Sequence, residues 1–273
     1  MIDIPDSADL VLKLTGFVPT ERLEGGHCSH VFATEDQVLK VPFQGEEMTT
    51  GLTFQRFLSE RGIGPRIICA DPATGCLLME RAKPGLKLHE TGLSELQQLY
   101  VWRDLVWRIR QSEKLLRNPT ENASPFERFA ALKLMSLRNF VNMKDRLASH
   151  LFAWSDEGDY LHGDLHHENI LSHGVHWLVI DAKGLQGDRA FEGAAYIRNP
   201  ISEVGKLTVD EMREKIIRVS AALQVDKFRV WGWTVAQLRD GLPEPGSSWH
   251  HVLKLLYELA PEFGGERFVE PLT

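Results

Sequence analysis

The residues best suited to chemistry in this chain lie between positions 160 and 184. Asp164 follows His162 and Gly163, Asn169 stands five residues after Asp164, and Asp181 stands twelve residues beyond Asn169. Moving a phosphoryl group from a nucleotide to an alcohol needs a carboxylate that accepts the hydroxyl proton, and oxygen ligands that hold Mg²⁺ against the phosphates. Asp164 fits the first task, and Asn169 and Asp181 fit the second. The pattern therefore predicts a catalytic loop beside a magnesium site.

Two other interpretations of this stretch compete with phosphoryl transfer. Any one of its polar residues, taken alone, is better explained by a buried hydrogen-bond network that closes a loop. Zinc could use the histidines that fall within fifteen residues here, which are His162, His166, His167, His173 and His176. However, the adjacent pair at 166 and 167 cannot form the i, i+4 face of a zinc protease helix, and His173 suits a hairpin turn. The ordered combination of His-Gly-Asp, Asn and Asp favours phosphoryl transfer over both.

Groups suited to a nucleotide lie in the first part of the chain. Gly25, Gly26 and Ser29 belong to a turn before an apolar strand, where backbone N–H groups can approach phosphates closely. Lys40 interrupts the apolar run 38–41, and an anionic phosphate would explain a lysine there. The alternatives are an ordinary hairpin turn and an edge-strand lysine that reaches water.

Residues 79–85 mark the expected junction between two lobes. Met79, Glu80 and Ala82 would offer main-chain groups to an adenine edge, and Lys83-Pro84-Gly85 then breaks the chain. Short β-like runs precede the break at 31–33, 38–41 and 76–79. We therefore predict an α+β fold, with a β-rich nucleotide-binding lobe over residues 1–82. A larger helical lobe over residues 83–273 would hold the catalytic loop, the metal site and the acceptor site.

Helix signals dominate the second part of the chain. Capping boxes begin at Ser94, Ser124 and Thr208. Apolar residues recur at helical spacing from 126 to 151 and predict one long amphipathic helix.

Further helices are expected near the C-terminus, and one hairpin interrupts the helical pattern. The helices are predicted around 212–223, 227–238 and 249–259, with the tryptophans at 231, 233 and 249 assigned to packing. The hairpin is predicted from short apolar runs at 170–172 and 177–180. It would return Asp181 to the side of Asp164.

The composition of the chain limits the kinds of binding partner and the cellular compartment that we expect for the protein. The chain has 273 residues, a formal net charge of −7, 43% apolar residues and three cysteines. No apolar run is long enough for a membrane span, the acidic N-terminus is unlike a signal peptide, and no basic cluster suits nucleic acid. We therefore expect a cytoplasmic monomer or homodimer that binds neither membranes nor nucleic acid. Its acidity suits a cationic small-molecule partner.

Together these motifs resemble the aminoglycoside phosphotransferase family of the protein-kinase-like fold, especially its streptomycin 6-phosphotransferase and hydroxyurea kinase subgroup. The resemblance rests on His-Gly-Asp-Leu-His-His-Glu-Asn-Ile-Leu at 162–171 and on Ile-Asp-Ala-Lys-Gly-Leu-Gln-Gly-Asp at 180–188. Arg198-Asn199-Pro200 and the turn at 71–75 extend it to roughly residues 20–260. The block at 162–171 is highly specific, whereas the likeness of the first lobe is looser.

The resemblance implies a kinase that uses ATP and Mg²⁺ to phosphorylate a small, hydroxylated, cationic molecule such as the aminocyclitol streptomycin. It implies that Asp164 is the catalytic base, with His162 and Lys183 in the same catalytic centre. Asn169 and Asp181 would be the magnesium ligands. Lys183 replaces the Phe of the protein-kinase Asp-Phe-Gly motif and would reach the γ-phosphate or the acceptor side.

On the nucleotide side, the resemblance places Lys40 on the α- and β-phosphates and the turn at 25–29 over the nucleotide as a lid. One feature departs from the family pattern. The family has a glutamate on the helix after the lysine strand, at a place where this chain has Gly51. Glu47, one helical turn earlier, is the best substitute for that glutamate, and Glu46 is the second.

Two further functions stay open at this point. The acceptor could instead be an amino sugar, a choline-like alcohol or a protein hydroxyl. The chain could also be a nucleotide-binding pseudokinase with a regulatory role, which the missing helix glutamate favours. The intact set of Asp164, Asn169 and Asp181 speaks against that second possibility.

The first prediction concerns the base. Asp164→Asn should nearly abolish phosphoryl transfer and leave nucleotide binding largely intact, because the carboxylate acts on the acceptor hydroxyl and is not the main metal ligand. Turnover assays and nucleotide titrations of the same preparation measure the two effects. Near-normal turnover by the variant would remove Asp164 from this role.

Overall fold

The computed structural model describes residues 2–23, 29–43, 47–117, 134–141, 144–153, 158–241 and 243–269. Over these ranges a β-rich part comes first in the chain and a mainly helical part follows it, which confirms the α+β class. None of the helices found there is both long and apolar enough to cross a membrane.

The first part of the chain forms an antiparallel sheet with the strand order β1-β2-β3-β5-β4. Its strands are β1 (Glu21–Leu23), β2 (Ser29–Ala33), β3 (Gln37–Pro42), β4 (Ile67–Ala70) and β5 (Leu77–Glu80). The runs expected at 31–33, 38–41 and 76–79 are confirmed as β2, β3 and β5. Strands β1 and β4 were not predicted, since β1 is short and mostly exposed and β4 is half-buried throughout, so neither shows a clear alternation of apolar and polar residues.

The position of β3 decides between the two explanations of Lys40. Strand β3 lies inside the sheet, where Lys40 pairs with Val31 of β2 and with Leu77 of β5. An edge-strand lysine that merely reaches water is therefore the wrong explanation. The lysine needs a partner on one face of the sheet.

Two helices flank this sheet, α1 (Asp9–Thr15) and α2 (Glu47–Glu60). The first helix buries Val11 against the sheet residues Phe32 and Leu39 in one apolar cluster. In the second, Phe54, Phe57 and Leu58 are almost fully buried, and they belong to the core of the helical part. Helix α2 therefore joins the sheet to the rest of the molecule.

The helical part contains nine helices within the described residues. They are α3 (Glu95–Arg117), α4 (Leu137–Phe140), α5 (Arg146–Phe152), α6 (Ala190–Ile197), α7 (Ile201–Val204), α8 (Val209–Leu223), α9 (Lys227–Asp240), α10 (Ser248–Glu258) and α11 (Ala260–Phe263). The helices expected around 212–223, 227–238 and 249–259 are confirmed as α8, α9 and α10. Reciprocal side-chain and backbone bonds confirm the capping boxes at Ser94 and Thr208. The third capping box, at Ser124, lies outside the described residues.

The single long helix expected over 126–151 is wrong where the structure describes that stretch. Residues 126–133 and 142–143 lie outside the description, and the remainder forms β7 (Met135–Ser136), α4 and α5. Ser136 accepts a hydrogen bond from the Arg138 N–H, and Asp145 accepts from the N–H groups of Leu147 and Ala148. These side chains act as N-caps, so the chain begins a new helix at each of them.

Two three-stranded sheets carry the loops of interest. One has the order β10-β9-β6, with β6 (Pro84–Lys87), β9 (Ile170–His173) and β10 (His176–Val179). The other has the order β7-β11-β8, with β8 (Asp159–Leu161) and β11 (Leu185–Gly187). The predicted hairpin is thus confirmed as β9 and β10. Pro84 and Gly85, within the expected break at 83–85, begin β6, which pairs with β9.

The core of the helical part reaches the loop after β8, which contains Asp164. Trp231 and Trp233 are fully buried in it, which confirms their assignment to packing, and Trp249 packs against its edge. Trp102 of α3 is also fully buried, and its indole N–H donates to the carbonyl of Leu165 at 2.9 Å. The loop after β8 therefore rests on the core. A lobe boundary at residue 82 stays a prediction.

Candidate active site

The imidazole of His162 links the two segments that carry the predicted chemistry. His162 follows β8 and is fully buried. Its Nδ1 accepts the Asp164 backbone N–H at 3.2 Å, and its Nε2 lies 2.8 Å from the carbonyl oxygen of Ile180. An acceptor role for Nδ1 and a carbonyl partner for Nε2 require a neutral ring protonated at Nε2. Burial lowers the pKa of His162 to about 4, which keeps the ring neutral.

This arrangement gives His162 a positioning role under the loop. Both ring nitrogens are engaged by the backbone, and no part of the residue is exposed to a reacting group. Its own carbonyl accepts the Lys183 N–H at 2.7 Å. The residue therefore fixes the loop after β8 to the segment after β10 at several points.

The side chain of Asn169 has a defined orientation. Its amide nitrogen donates to the Asp164 carbonyl at 2.9 Å, which the His166 N–H also contacts at 3.0 Å. Because the NH₂ group is committed to a carbonyl, the amide oxygen is directed away from this contact. Asn169 can therefore present an oxygen to a cation.

Asp181 pairs with Lys40 across the structure. The Lys40 Nζ lies 2.8 Å from Asp181 Oδ1, which brings β3 of the sheet to the end of the β9–β10 hairpin. Burial alone would raise the pKa of Asp181, but the ammonium groups of Lys40 and Lys183 outweigh it and lower that pKa. The carboxylate is therefore ionised at neutral pH and already holds a cation.

The backbone at Asp181 is strained. Its φ of 63° lies in the left-handed region, which a non-glycine residue seldom adopts. Asp tolerates this region better than most residues, and such outliers concentrate at functional sites. Asp181 adopts this conformation between β10 and β11, and its carboxylate contacts Lys40.

Helix α2 packs closely on the segment after Asp181, which explains why this chain has Gly51 at the place of the expected glutamate. A Cβ on Gly51 would lie 2.6 Å from the Ala182 carbonyl oxygen, and a Cβ on Gly184 would lie 2.5 Å from the Thr50 carbonyl oxygen. The Thr50 hydroxyl also donates to the Lys183 carbonyl at 2.8 Å. A glutamate at 51 would not fit, since the helix and the segment touch there through their backbones.

The carboxylate of Glu192, on α6, is buried behind the loop that contains Asp164. Its Oε1 accepts the N–H groups of Gly163 and Leu165, each at 3.2 Å, on either side of Asp164. Burial raises the pKa of Glu192 to about 7, although the backbone donors oppose that rise. Glu192 therefore holds the loop through two backbone hydrogen bonds, and its carboxyl group titrates near neutrality.

The Asp164 carboxylate has an arginine partner at the end of the same helix. Arg198 Nη2 lies 2.9 Å from Asp164 Oδ1, and His166 Nε2 lies 3.9 Å from Oδ2. Neither Arg198 nor Glu192 was predicted to contact the loop at Asp164, because distances across some thirty residues cannot be read from spacing. The Arg198-Asn199-Pro200 motif was the only signal for the arginine.

The other residues predicted for the nucleotide fall into two groups. Gly25, Gly26 and Glu46 lie outside the described residues, and so does the side chain of Glu47, although its backbone begins α2. Ser29 is buried at the start of β2. A contact of Glu47 or Glu46 with Lys40 therefore stays a prediction.

Met79 and Glu80, two of the residues predicted to meet the adenine, lie at the end of β5. Met79 is buried in an apolar cluster with Leu52 and Leu77. The carboxylate of Glu80 accepts the Arg66 N–H at 2.7 Å, so this side chain is committed to the sheet. Ala82 follows them and is half-buried. The main chain at 79–82 is thus the part that could meet an adenine.

The five histidines between 162 and 176 do not converge on one point. The ring of His167 stacks on the ring of Tyr196, with 4.3 Å between the ring centroids. His173, at the end of β9, accepts the backbone N–H of Lys83. His176 is exposed in β10. Among the described residues no cluster of three His, Cys, Asp or Glu side chains is arranged to hold a metal ion.

Two comparisons of sequence point to one family. Residues 37–240 match the family described as aminoglycoside/hydroxyurea antibiotic resistance kinase. The streptomycin 3''-kinase of Klebsiella pneumoniae is 36% identical over 173 residues, which are 60% of this chain and 64% of that protein. The chain therefore spans just under two thirds of the length of this relative.

Solved structures share the fold at low sequence identity. The gentamicin complex of APH(2")-IIa aligns with a TM-score of 0.57 and 14% identity, over 99% of this chain and 100% of the other. A choline/ethanolamine kinase family protein from Mesorhizobium loti aligns with a TM-score of 0.56 and 15% identity, over 96% and 95%. These matches confirm the bilobal, protein-kinase-like fold.

The second prediction follows from the raised pKa of Glu192. Between its ordinary pKa of 4.5 and about 7, the folded protein keeps a proton that the unfolded chain releases. The resulting stabilisation is complete below pH 4.5 and is lost as the pH rises through 7. Glu192→Gln lacks this titration, so its free energy of unfolding relative to wild type should rise by about 3 kcal/mol from about pH 5 to about pH 8.

Denaturant unfolding of both proteins across this pH range measures the difference. Glu258→Gln, at an exposed position of α10, is the control and should track the wild type. A constant difference between Glu192→Gln and wild type would show that Glu192 does not titrate in this window.

Proposed function

Because the chain belongs to the aminoglycoside/hydroxyurea antibiotic resistance kinase family, we propose that it transfers the γ-phosphoryl group of ATP to a hydroxyl of an aminoglycoside or aminocyclitol, with streptomycin as the first candidate. One observation carries the proposal above all others. His162 joins the backbone of Asp164 to that of Ile180, next to Asp181, so that a base and an anionic ligand are held at one place.

On the acceptor side, Asp164 is the proposed base. Its backbone is fixed by His162, Glu192 and Asn169, and its carboxylate remains partly exposed. The carboxylate takes the proton of the acceptor hydroxyl as that oxygen bonds to the γ-phosphorus and the bond to the β-phosphate oxygen breaks. Such transfers depend mainly on positioning and electrostatic stabilisation, which a rigid loop supplies.

On the nucleotide side, Lys40 and Lys183 supply positive charge. Lys40 reaches out of the sheet to the acidic end of the hairpin, where phosphates would lie between the two parts of the molecule. The Lys183 ammonium is near enough to Asp181 to lower its pKa. We assign Lys40 to the α- and β-phosphates and Lys183 to the charge that spreads over the transferring group.

Mg²⁺ is implied by the fold family, and the residues present fit it. Asn169 offers an amide oxygen and Asp181 an ionised carboxylate, the hard oxygen donors that Mg²⁺ takes alongside phosphates and water. The Lys40 contact shows that the Asp181 carboxylate accepts a cationic partner. When bound, the metal would neutralise charge on the β- and γ-phosphates.

The class of acceptor is inferred from the relatives and from charge. The family description names aminoglycosides and hydroxyurea, and the Klebsiella relative is named for streptomycin. The formal charge of −7 suits a polycationic acceptor. Choline is a further possibility, because a choline/ethanolamine kinase family protein shares the fold.

A nucleotide-binding module without transfer is the competing function. It is favoured by one observation, namely that Lys40 pairs with Asp181. In a competent kinase, nucleotide and metal would have to replace this ion pair.

The third prediction tests the proposed function directly. The full chain, incubated with Mg²⁺ and either ATP or GTP, should phosphorylate streptomycin, with product mass and ³¹P spectra showing one added phosphoryl group. Kanamycin, gentamicin, hydroxyurea and choline form the rest of the panel, and Asp164→Asn is the matched inactive control.

Each outcome of this panel has a distinct meaning. Transfer to streptomycin or to another aminoglycoside supports the proposal, and transfer to choline alone would reassign the acceptor. Nucleotide binding without transfer to any of the five compounds would favour the regulatory module and overturn the proposed function.

A further inference from the structure

The carboxylate of Asp164 pairs with Arg198, and other parts of the structure hold that arginine in place. Arg198 Nη2 contacts Asp164 Oδ1 at 2.9 Å, and only about a fifth to a quarter of either side chain is exposed, 21% for the arginine and 25% for the aspartate. An exposed surface pair contributes little, but a half-buried pair on a catalytic loop fixes geometry.

Arg198 is anchored from several sides. Its N–H donates to the Ala194 carbonyl at the end of α6, and its own carbonyl accepts the Trp249 indole N–H at 3.1 Å. The guanidinium lies over the Trp249 ring, 5.8 Å from the centroid. The backbone and the guanidinium are therefore both positioned before any acceptor arrives.

Gln237 of α9 fixes the orientation of the guanidinium. Its amide nitrogen donates to the Phe191 carbonyl at 3.2 Å, so its oxygen must face the other way. That oxygen accepts the Arg198 Nε–H at 3.1 Å. Two helices and one indole thus define where the arginine places its remaining donors.

We propose that Arg198 is a positioning residue for the transfer, because it fixes Oδ1 of Asp164 and leaves Oδ2 to accept the proton of the acceptor hydroxyl. The inference rests on the proposed function, in which Asp164 is the base. A carboxylate held by one oxygen cannot rotate freely about its Cβ–Cγ bond, so the second oxygen keeps a defined direction. Small misplacements of reacting groups have large effects on rate, which makes such a restraint valuable.

The fourth prediction is the kinetic consequence. Arg198→Ala should lower kcat by about 10- to 100-fold and leave KM for ATP nearly unchanged, because the side chain of this arginine contacts Asp164, the proposed base, and not Lys40 or Asp181 of the proposed nucleotide side. Arg198→Lys keeps a cation but loses the planar fork and should retain intermediate activity. Gln237→Met removes the partner of Nε without changing any charge, and it should give a smaller fall in kcat. This variant also serves if Arg198→Ala does not fold.

Chemical rescue distinguishes a positioning role of Arg198 in the transfer from a contribution of Arg198 to the stability of the fold alone. Guanidinium ion at about 20 mM, well below denaturing concentrations, should restore several-fold activity to Arg198→Ala, whereas ammonium should not, because only guanidinium reproduces the planar donors. Arg239→Ala is the matched control. Arg239 is 19% exposed and pairs with Asp145 at 3.4 Å, away from the loop, so its loss should lower the melting temperature without a kcat effect that guanidinium reverses.

The outcomes distinguish the proposed function of the protein from the proposed role of Arg198. A wild type that phosphorylates nothing would overturn the proposed function, and the role of Arg198 would fall with it. A wild type that transfers, with Arg198→Ala and Gln237→Met both at the wild-type kcat, would overturn only the role of Arg198. A fall in kcat that guanidinium does not reverse, accompanied by earlier melting, would reduce Arg198 to a structural residue.

Discussion

The neutral, buried ring of His162 is the contact on which the rest of the site depends. One ring nitrogen accepts from the backbone of Asp164 and the other donates to the backbone of Ile180. The candidate base and the candidate metal ligand belong to loops that follow strands of different sheets, and His162 bonds to the backbone of both loops. A protonated ring would have to donate at both nitrogens, and the contact to the Asp164 N–H would then be lost. Burial prevents this by holding the pKa of the ring at about 4.

Helices α6 and α2 support the two loops that His162 connects, each from a different side. Helix α6 lies behind the loop, where Glu192 accepts two backbone N–H groups and Arg198, at the end of the helix, holds the Asp164 carboxylate. Helix α2 lies on the other side and touches the segment after Asp181 through Gly51 and Thr50. Helix α2 thus packs on the backbone of the segment after Asp181, whereas α6 fixes both the backbone around Asp164 and the Asp164 carboxylate.

The local parts of this arrangement could be predicted from the sequence. The strands β2, β3 and β5, the hairpin before Asp181 and the helices α8 to α10 follow from periodicity and capping residues within short windows. The pairing of Asp164, Asn169 and Asp181 could be proposed because a tight hairpin returns the chain to its starting point. The long helix over 126–151 failed in its described part, because Ser136 and Asp145 each begin a new helix and override the apolar spacing.

The contacts that span the chain could not be predicted in the same way. Arg198 reaches Asp164, and Glu192 reaches Gly163, only because α6 packs under the loop, and no local pattern encodes that packing. Gly51 was interpreted as a missing glutamate, whereas the structure shows that the position must be small. The sequence also gave no sign that His162 is buried, since histidines at reactive loops and in cores look alike without their neighbours.

The most direct test of the central claim is ¹⁵N spectroscopy of the histidine rings, with the His162 signals assigned by residue. The ring should be protonated at Nε2 and unprotonated at Nδ1, and it should remain so while the pH is lowered from neutrality to about 5. A His162 ring that titrates near the ordinary value of 6.5, or one that carries its proton on Nδ1, would contradict the bridge between the two loops.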